Sequence, residues 1–170
     1  ETVDKHGTYP YSYIDAAKAL SKKIFDVAVR HQPDTIVIEE TNKGKNRYTQ
    51  KILEFIHCTT LGFLRAGGWE GKVFYISTSV WRRQMGIELT KEQKKANAKL
   101  SKAKSKAGGA LTHAEKKTLG LKGRTTKKHV AVTVVNEKYG LDFKQKDNDI
   151  AEAILLGAAF IAGATLANGK

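Results

Sequence analysis

The sequence predicts an α/β protein with parallel strands, and three observations carry that expectation. Two short apolar runs, Ile36-Val37-Ile38 and Val73-Phe74-Tyr75-Ile76, are rich in β-branched or aromatic residues and read as buried strands. Between and around them lie longer stretches whose apolar residues recur every three or four positions, the period of a helix. Helices alternating with buried strands are the pattern of an α/β sheet covered by helices.

Element by element, Thr2 and Val3 favour the end of a strand over Glu1 to Asp4. Tyr13, Ala17, Leu20, Ile24 and Val27 then mark one face of an amphipathic helix that ends near Arg30, before Pro33. After the first strand and the polar stretch Thr41 to Asn46, a second helix carries Ile52, Phe55, Ile56, Thr59 and Phe63 and stops near Gly67-Gly68. Trp81 to Gln84 suggests a short helix or turn leading to Gly86. The lysine-rich segment that follows is broken by Gly108-Gly109 and Gly120. A third long helix carries Val130, Val134 and Val135 and ends at Tyr139-Gly140, with Gly140 as C-cap. The last helix, Asp149 to about Leu166, is apolar nearly all round and should pack against a sheet.

A chain of 170 residues, 41% hydrophobic, can bury the core of one domain and is too apolar to be disordered. Cys58 is the only cysteine, which excludes a disulfide framework and a thiolate zinc cluster. His6, His31, His57, His113 and His129 show no metal-ligand spacing. The stretch Ile150 to Leu166 is too short and interrupted to span a membrane, and no signal-peptide pattern is present. A cytoplasmic, nucleoid or organelle-matrix protein with no membrane partner is the expectation.

Charge points to a partner. The net charge is +13, with a pI near 9.8. Between Lys91 and Lys128 there are thirteen basic and two acidic residues, a net +11, so a basic insertion at about 88–126 sits in a nearly neutral remainder. A field of that sign recruits polyanions, of which nucleic acid is the commonest. A merely solvated basic face is the bland alternative.

Carboxylates point to chemistry. Glu39 and Glu40 end the first strand, at the edge where open α/β sheets bind ligands. Alternation places Glu39 on the face of Val37, opposite Ile36, Ile38 and Glu40, without deciding which glutamate points inward. Asp149 and Glu152 lie three apart at the start of the last helix and share a face, with Asp147 just before them. Carboxylates gathered without neutralising partners imply a bound cation, and oxygen-only ligands suit Mg²⁺ or Mn²⁺. An N-cap aspartate is the ordinary alternative for Asp149; a carboxylate at Glu152, inside an apolar helix, is harder to explain structurally.

The segment from Ile38 to Asn46, Ile-Glu-Glu-Thr-Asn-Lys-Gly-Lys-Asn, resembles the strand-end segment of RuvC-type Holliday-junction resolvases. Asp149-Ile-Ala-Glu-Ala-Ile154 is similar to the closing acidic helix start of that family, with Glu at the second acidic place. The lysine-rich enlargement is more like the phage and poxvirus members. The resemblance covers roughly 34–86 and 122–160. It implies an RNase H-like three-layer fold, a mixed sheet flanked by helices, and Mg²⁺-dependent cleavage of four-way DNA junctions. It makes Glu39, Asp149 and Glu152 metal ligands and Lys127 or Lys128 the stabiliser of the phosphate at reaction. Lys43, Lys45, Asn46, Arg47, Arg82, Arg83, Lys122, Arg124 and Lys128 become DNA contacts, and the helix at about 47–64 a homodimer seam. It further implies an N-terminal strand bearing a first catalytic Asp, which this sequence lacks, so the natural chain is expected to be longer. Competing expectations are an RNase H-like nuclease acting on flaps or RNA–DNA hybrids, a module that binds structured nucleic acid without cutting it, and a basic ribosome-associated protein.

Overall fold

The computed structural model describes residues 7–40 and 47–163, with only the backbone described for 47–49. The order is α1 (Tyr11–His31), β1 (Thr35–Glu39), α2 (Arg47–Ala66), β2 (Lys72–Ile76), α3 (Thr78–Gln84), α4 (Lys91–Lys106), α5 (His113–Thr118), α6 (Lys127–Tyr139), a 3₁₀ turn (Gln145–Asp147) and α7 (Asn148–Ile161). This is a mostly helical protein of the mixed α/β class. The expected strand at Glu1 to Asp4 lies outside the described residues. No helix among the described residues is long and apolar enough to cross a membrane.

The chain divides into two compact units at Thr78/Ser79. In the first, β1 and β2 pair in parallel, Thr35 opposite Lys72 and Glu39 opposite Ile76, with α2 as their connection. Helix α1 packs on α2. The face it buries differs from the expected one. Ala17, Ser21 and Ala28 are buried, whereas Ile24 and Val27 are exposed. The reason is close approach: small side chains let the helices meet, and a polar pair fixes them. The Thr60 hydroxyl donates to Ser21 Oγ (2.9 Å), and the Ser21 hydroxyl donates to the Ile56 carbonyl (3.2 Å). A pattern read from the largest apolar residues misses a seam of this kind.

The turn into β2 is closed by Trp69, whose indole N–H donates to the Pro33 carbonyl at 2.5 Å. Arg65 stacks over that ring and donates to the carbonyls of Trp69 and Gly71. Gly71 is required here, since a Cβ would lie 2.3 Å from the Trp69 ring and 2.6 Å from the Asp34 carbonyl.

The second unit is helical. Its buried residues include Trp81 and Ile87 near α3, Leu100 on α4, Leu111, Ala131, Val132 and Val135 on α6, and Ala151, Leu155 and Ala159 on α7. Helix α6 packs on α7. Thr126 caps α6, and Gly140 ends it in the left-handed conformation expected of a C-cap glycine (φ 65°). Asn136 then clamps the exit, its amide donating to the Phe143 carbonyl and accepting from the Phe143 N–H. The basic segment forms α4 and α5, each opened by a threonine capping box and each closed near a predicted glycine break. Asn97 ties α4 to the approach to α6 through both backbone groups of Thr125. Helix α7 ends at Ile161, short of the expected Leu166, and Gly163 follows at φ 86°.

One stability effect follows from His57, whose ring lies 5.7 Å from that of Tyr75. Burial holds its pKa below the usual 6.5, with Glu54 acting more weakly in the opposite sense. The folded state therefore resists protonation, while the unfolded chain takes up a proton near about pH 6.5. Stability present above that pH is lost as pH falls through the folded pKa. Urea midpoints should decline on acidification from about pH 7.5 to about pH 5. A His57→Gln variant that keeps the same slope would assign it elsewhere.

Candidate functional site

The charged cluster of the second unit is built where three helices begin or pass. Thr126 caps α6, and its backbone N–H donates to His129 Nδ1 (3.1 Å). That cap places Lys127 and Lys128 at the first two positions of α6. Cations are disfavoured there, because the N-terminal end of a helix already carries partial positive charge. Helix stability therefore gives no reason for this pair of lysines. Asp149, by contrast, sits in the first turn of α7, where a carboxylate is favoured.

Lys128 spans the two acids. Its ammonium lies 2.5 Å from Asp149 Oδ1 and 3.8 Å from Glu152 Oε2. Arg82, from α3, donates a short hydrogen bond to the other oxygen of Glu152. Arg82 also lies over the Trp81 ring, 5.2 Å from its centroid. The Glu152 side chain is only 12% exposed and that of Arg82 19%, whereas that of Asp149 is 81% exposed. So Glu152 is a part-buried, doubly paired carboxylate, and Asp149 is its solvent-facing neighbour. Gln84 of α3 donates to the Ala159 and Ala162 carbonyls, holding the far end of the same helix.

The premise that these carboxylates stand without neutralising partners is thereby corrected, since Arg82 and Lys128 neutralise them. Arg82, expected as a DNA contact, is the main partner of Glu152. Seventy residues separate the two in sequence, and no spacing rule reveals a pair of that separation. Of the two lysines weighed for the phosphate, Lys128 is the one that meets the acids, while Lys127 is exposed beside it. Asp147 occupies the N-cap position of α7 but caps the preceding turn instead, accepting from the Lys144 N–H.

In the first unit, Glu39 is half-buried, as is every residue of β1, and Glu40 is exposed. The Thr78 hydroxyl donates to Glu39 Oε1 at 2.8 Å. The Glu40 N–H donates to the Ile76 carbonyl, so the carboxyl ends of β1 and β2 form one edge with Glu39 on it. Lys43, Lys45 and Asn46 lie outside the described residues. Arg47 opens α2, and its side chain is not described. Arg83 is exposed on α3, and Lys122 and Arg124 are exposed on the loop before α6.

Among the described residues, neither unit gathers three or more His, Cys, Asp or Glu side chains able to hold a metal ion. What Asp149 and Glu152 offer is a pair of oxygen donors beside two cations. That arrangement can hold a phosphate against Lys128 and the α6 N-terminus, or share its carboxylates with a hard cation that displaces a lysine contact. Comparison with protein-family models, with curated proteins and with solved structures found no match to this chain.

Arg82→Met keeps the aliphatic stem and removes the charge, leaving Glu152 with Lys128 alone. This variant should lose about 1–3 kcal/mol of stability in urea denaturation, and Arg82→Met/Glu152→Leu should recover part of the loss. A single-variant loss under about 0.5 kcal/mol would mean the pair behaves as a surface contact.

Proposed function

We propose that this chain belongs to a structure-selective DNA endonuclease that cleaves four-way junctions by metal-dependent phosphodiester hydrolysis, in an RNase H-like fold. The observation that carries the reading is the placement of Lys128 and the α6 N-terminus beside the Asp149/Glu152 pair. That combination suits an enzyme that must attract a phosphodiester and also keep carboxylates next to it. The resemblance of the Glu39 and Asp149 segments to RuvC-type resolvases points the same way.

On this reading Asp149 and Glu152 are oxygen donors that would hold Mg²⁺, with Mn²⁺ as a substitute, and Glu39 keeps the ligand role that the resemblance implies for it. The bound cation would polarise the phosphodiester and lower the pKa of an attacking water. The protein's own residues do the rest. Arg82 fixes the Glu152 side chain in one orientation. Thr78 does the same for Glu39 through its hydroxyl. Lys128 neutralises charge that builds on the phosphate oxygens, and Lys127 adds to the same positive end. The expected ends are 5′-phosphate and 3′-hydroxyl.

Affinity comes from the basic surface, where Arg83, Lys122 and Arg124 contact phosphates, giving binding that weakens steeply with salt. Junction shape is read in preference to base edges. A homodimer through α2 would place two sites on a two-fold symmetric junction and pair the cuts.

A second reading has its own support. Arg82 and Lys128 satisfy the α7 carboxylates without any metal, which is what a module that binds structured nucleic acid without cutting it would need.

The encoded protein, supplied with Mg²⁺, should be assayed on a labelled four-way junction beside linear duplex and a flap. Paired symmetric nicks on the junction are expected, falling by at least about a hundredfold in Glu39→Gln. Tight junction binding without nicks would favour the non-cutting module. Equal affinity for junction and duplex would end the resolvase reading.

A further inference from the structure

The face of the basic segment that looks onto α5 carries more than charge. Between α4 and α5 lies an open groove of about 780 Å³. Its floor is aliphatic, with Ala103 from α4, Leu111 from the connection and Leu119 from the end of α5. Leu111 is buried, whereas Leu119 is 56% exposed. Along the α4 edge run Lys99, Lys102 and Lys106, three and four residues apart, so they form one row about 10 Å long. Glu115 also lines the groove, but its carboxylate accepts from the Thr112 N–H and hydroxyl and so stays with the capping box of α5.

Two demands define what fits. The floor needs apolar side chains to exclude water from Leu119 and Ala103, and the lysine row needs anionic groups at helical spacing. A nucleic-acid backbone meets the second demand alone, since it presents phosphate and sugar. A helix with an apolar stripe and a flanking row of carboxylates meets both, in the helix-in-groove mode.

We propose that the α4–α5 groove is a docking site for an acidic amphipathic helix of a partner protein. The partner's aliphatic anchors cover Leu119 and Ala103, and its carboxylates pair with Lys99, Lys102 and Lys106. The site is separate from the α6–α7 carboxylates, and its occupancy does not depend on phosphodiester cleavage.

The test uses a labelled synthetic peptide with leucines at i, i+4 and i+7 and glutamates along the adjoining flank. A shuffled peptide of the same composition and a labelled DNA duplex are the comparison probes. Fluorescence anisotropy should show binding on the order of micromolar for the patterned peptide. It should weaken at least about tenfold for the shuffled peptide, for Leu119→Asp and for Lys102→Glu. Leu119 is exposed, so Leu119→Asp should keep its helical circular dichroism and its affinity for duplex. Equal binding of the shuffled peptide, or unchanged patterned-peptide binding in Leu119→Asp, would overturn the proposal. So would a parallel loss of duplex binding in Leu119→Asp, which would give the groove to nucleic acid.

Discussion

A carboxylate on the inner part of a packed helix has to be paired, because burying it alone costs more than the surrounding packing can repay. Glu152 is in that position. It follows the fully buried Ala151 and precedes the fully buried Leu155, so α7 cannot rotate to release it without exposing its core face. Arg82 and Lys128 therefore have to come to it. One brings α3 and the other the start of α6, and the charge pairing and the packing specify the same arrangement of three helices. Trp81 lends the arrangement rigidity: it is fully buried and lies beneath the Arg82 guanidinium. Gln84, two residues on, ties α3 to the last carbonyls of α7.

That constraint explains which parts of the structure were legible in the sequence. The positions of strands β1 and β2 and the C-terminal end of α6 were readable because each depends on neighbours in sequence, β-branched runs and a C-cap glycine, although β1 is half-buried throughout and not buried as expected. The glycine breaks within the lysine-rich stretch were readable for the same reason. The buried face of α1 was not, because its contact with α2 rests on Ser21 and Thr60, whose hydrogen bond joins positions 39 apart. Small polar residues in a helix seam look like surface residues until the partner helix is present.

The candidate site shows the same division. The carboxylates themselves were identifiable, Glu39 by its place at a strand end and Glu152 by its oddity within an apolar helix. Their partners were not, since nothing local links the Arg82 guanidinium to Glu152 or the Thr78 hydroxyl to Glu39. The basic segment divides in a similar way. Its charge is obvious from composition, but the apolar groove between α4 and α5 exists only once Leu111 and Leu119 are folded against the alanine side of α4.

Asp149 and Glu152 are proposed to hold a divalent cation in exchange for part of their contact with Lys128. Mn²⁺ binding, followed by electron paramagnetic resonance of free Mn²⁺ during titration of the protein with and without junction DNA, addresses it directly. Saturable binding is expected, weakening at least about tenfold in Asp149→Asn/Glu152→Gln while junction affinity is kept. Saturation that is unchanged in the double variant, or no Mn²⁺ uptake by the protein in either state, would contradict it and leave the cluster as a salt-bridged brace for α7.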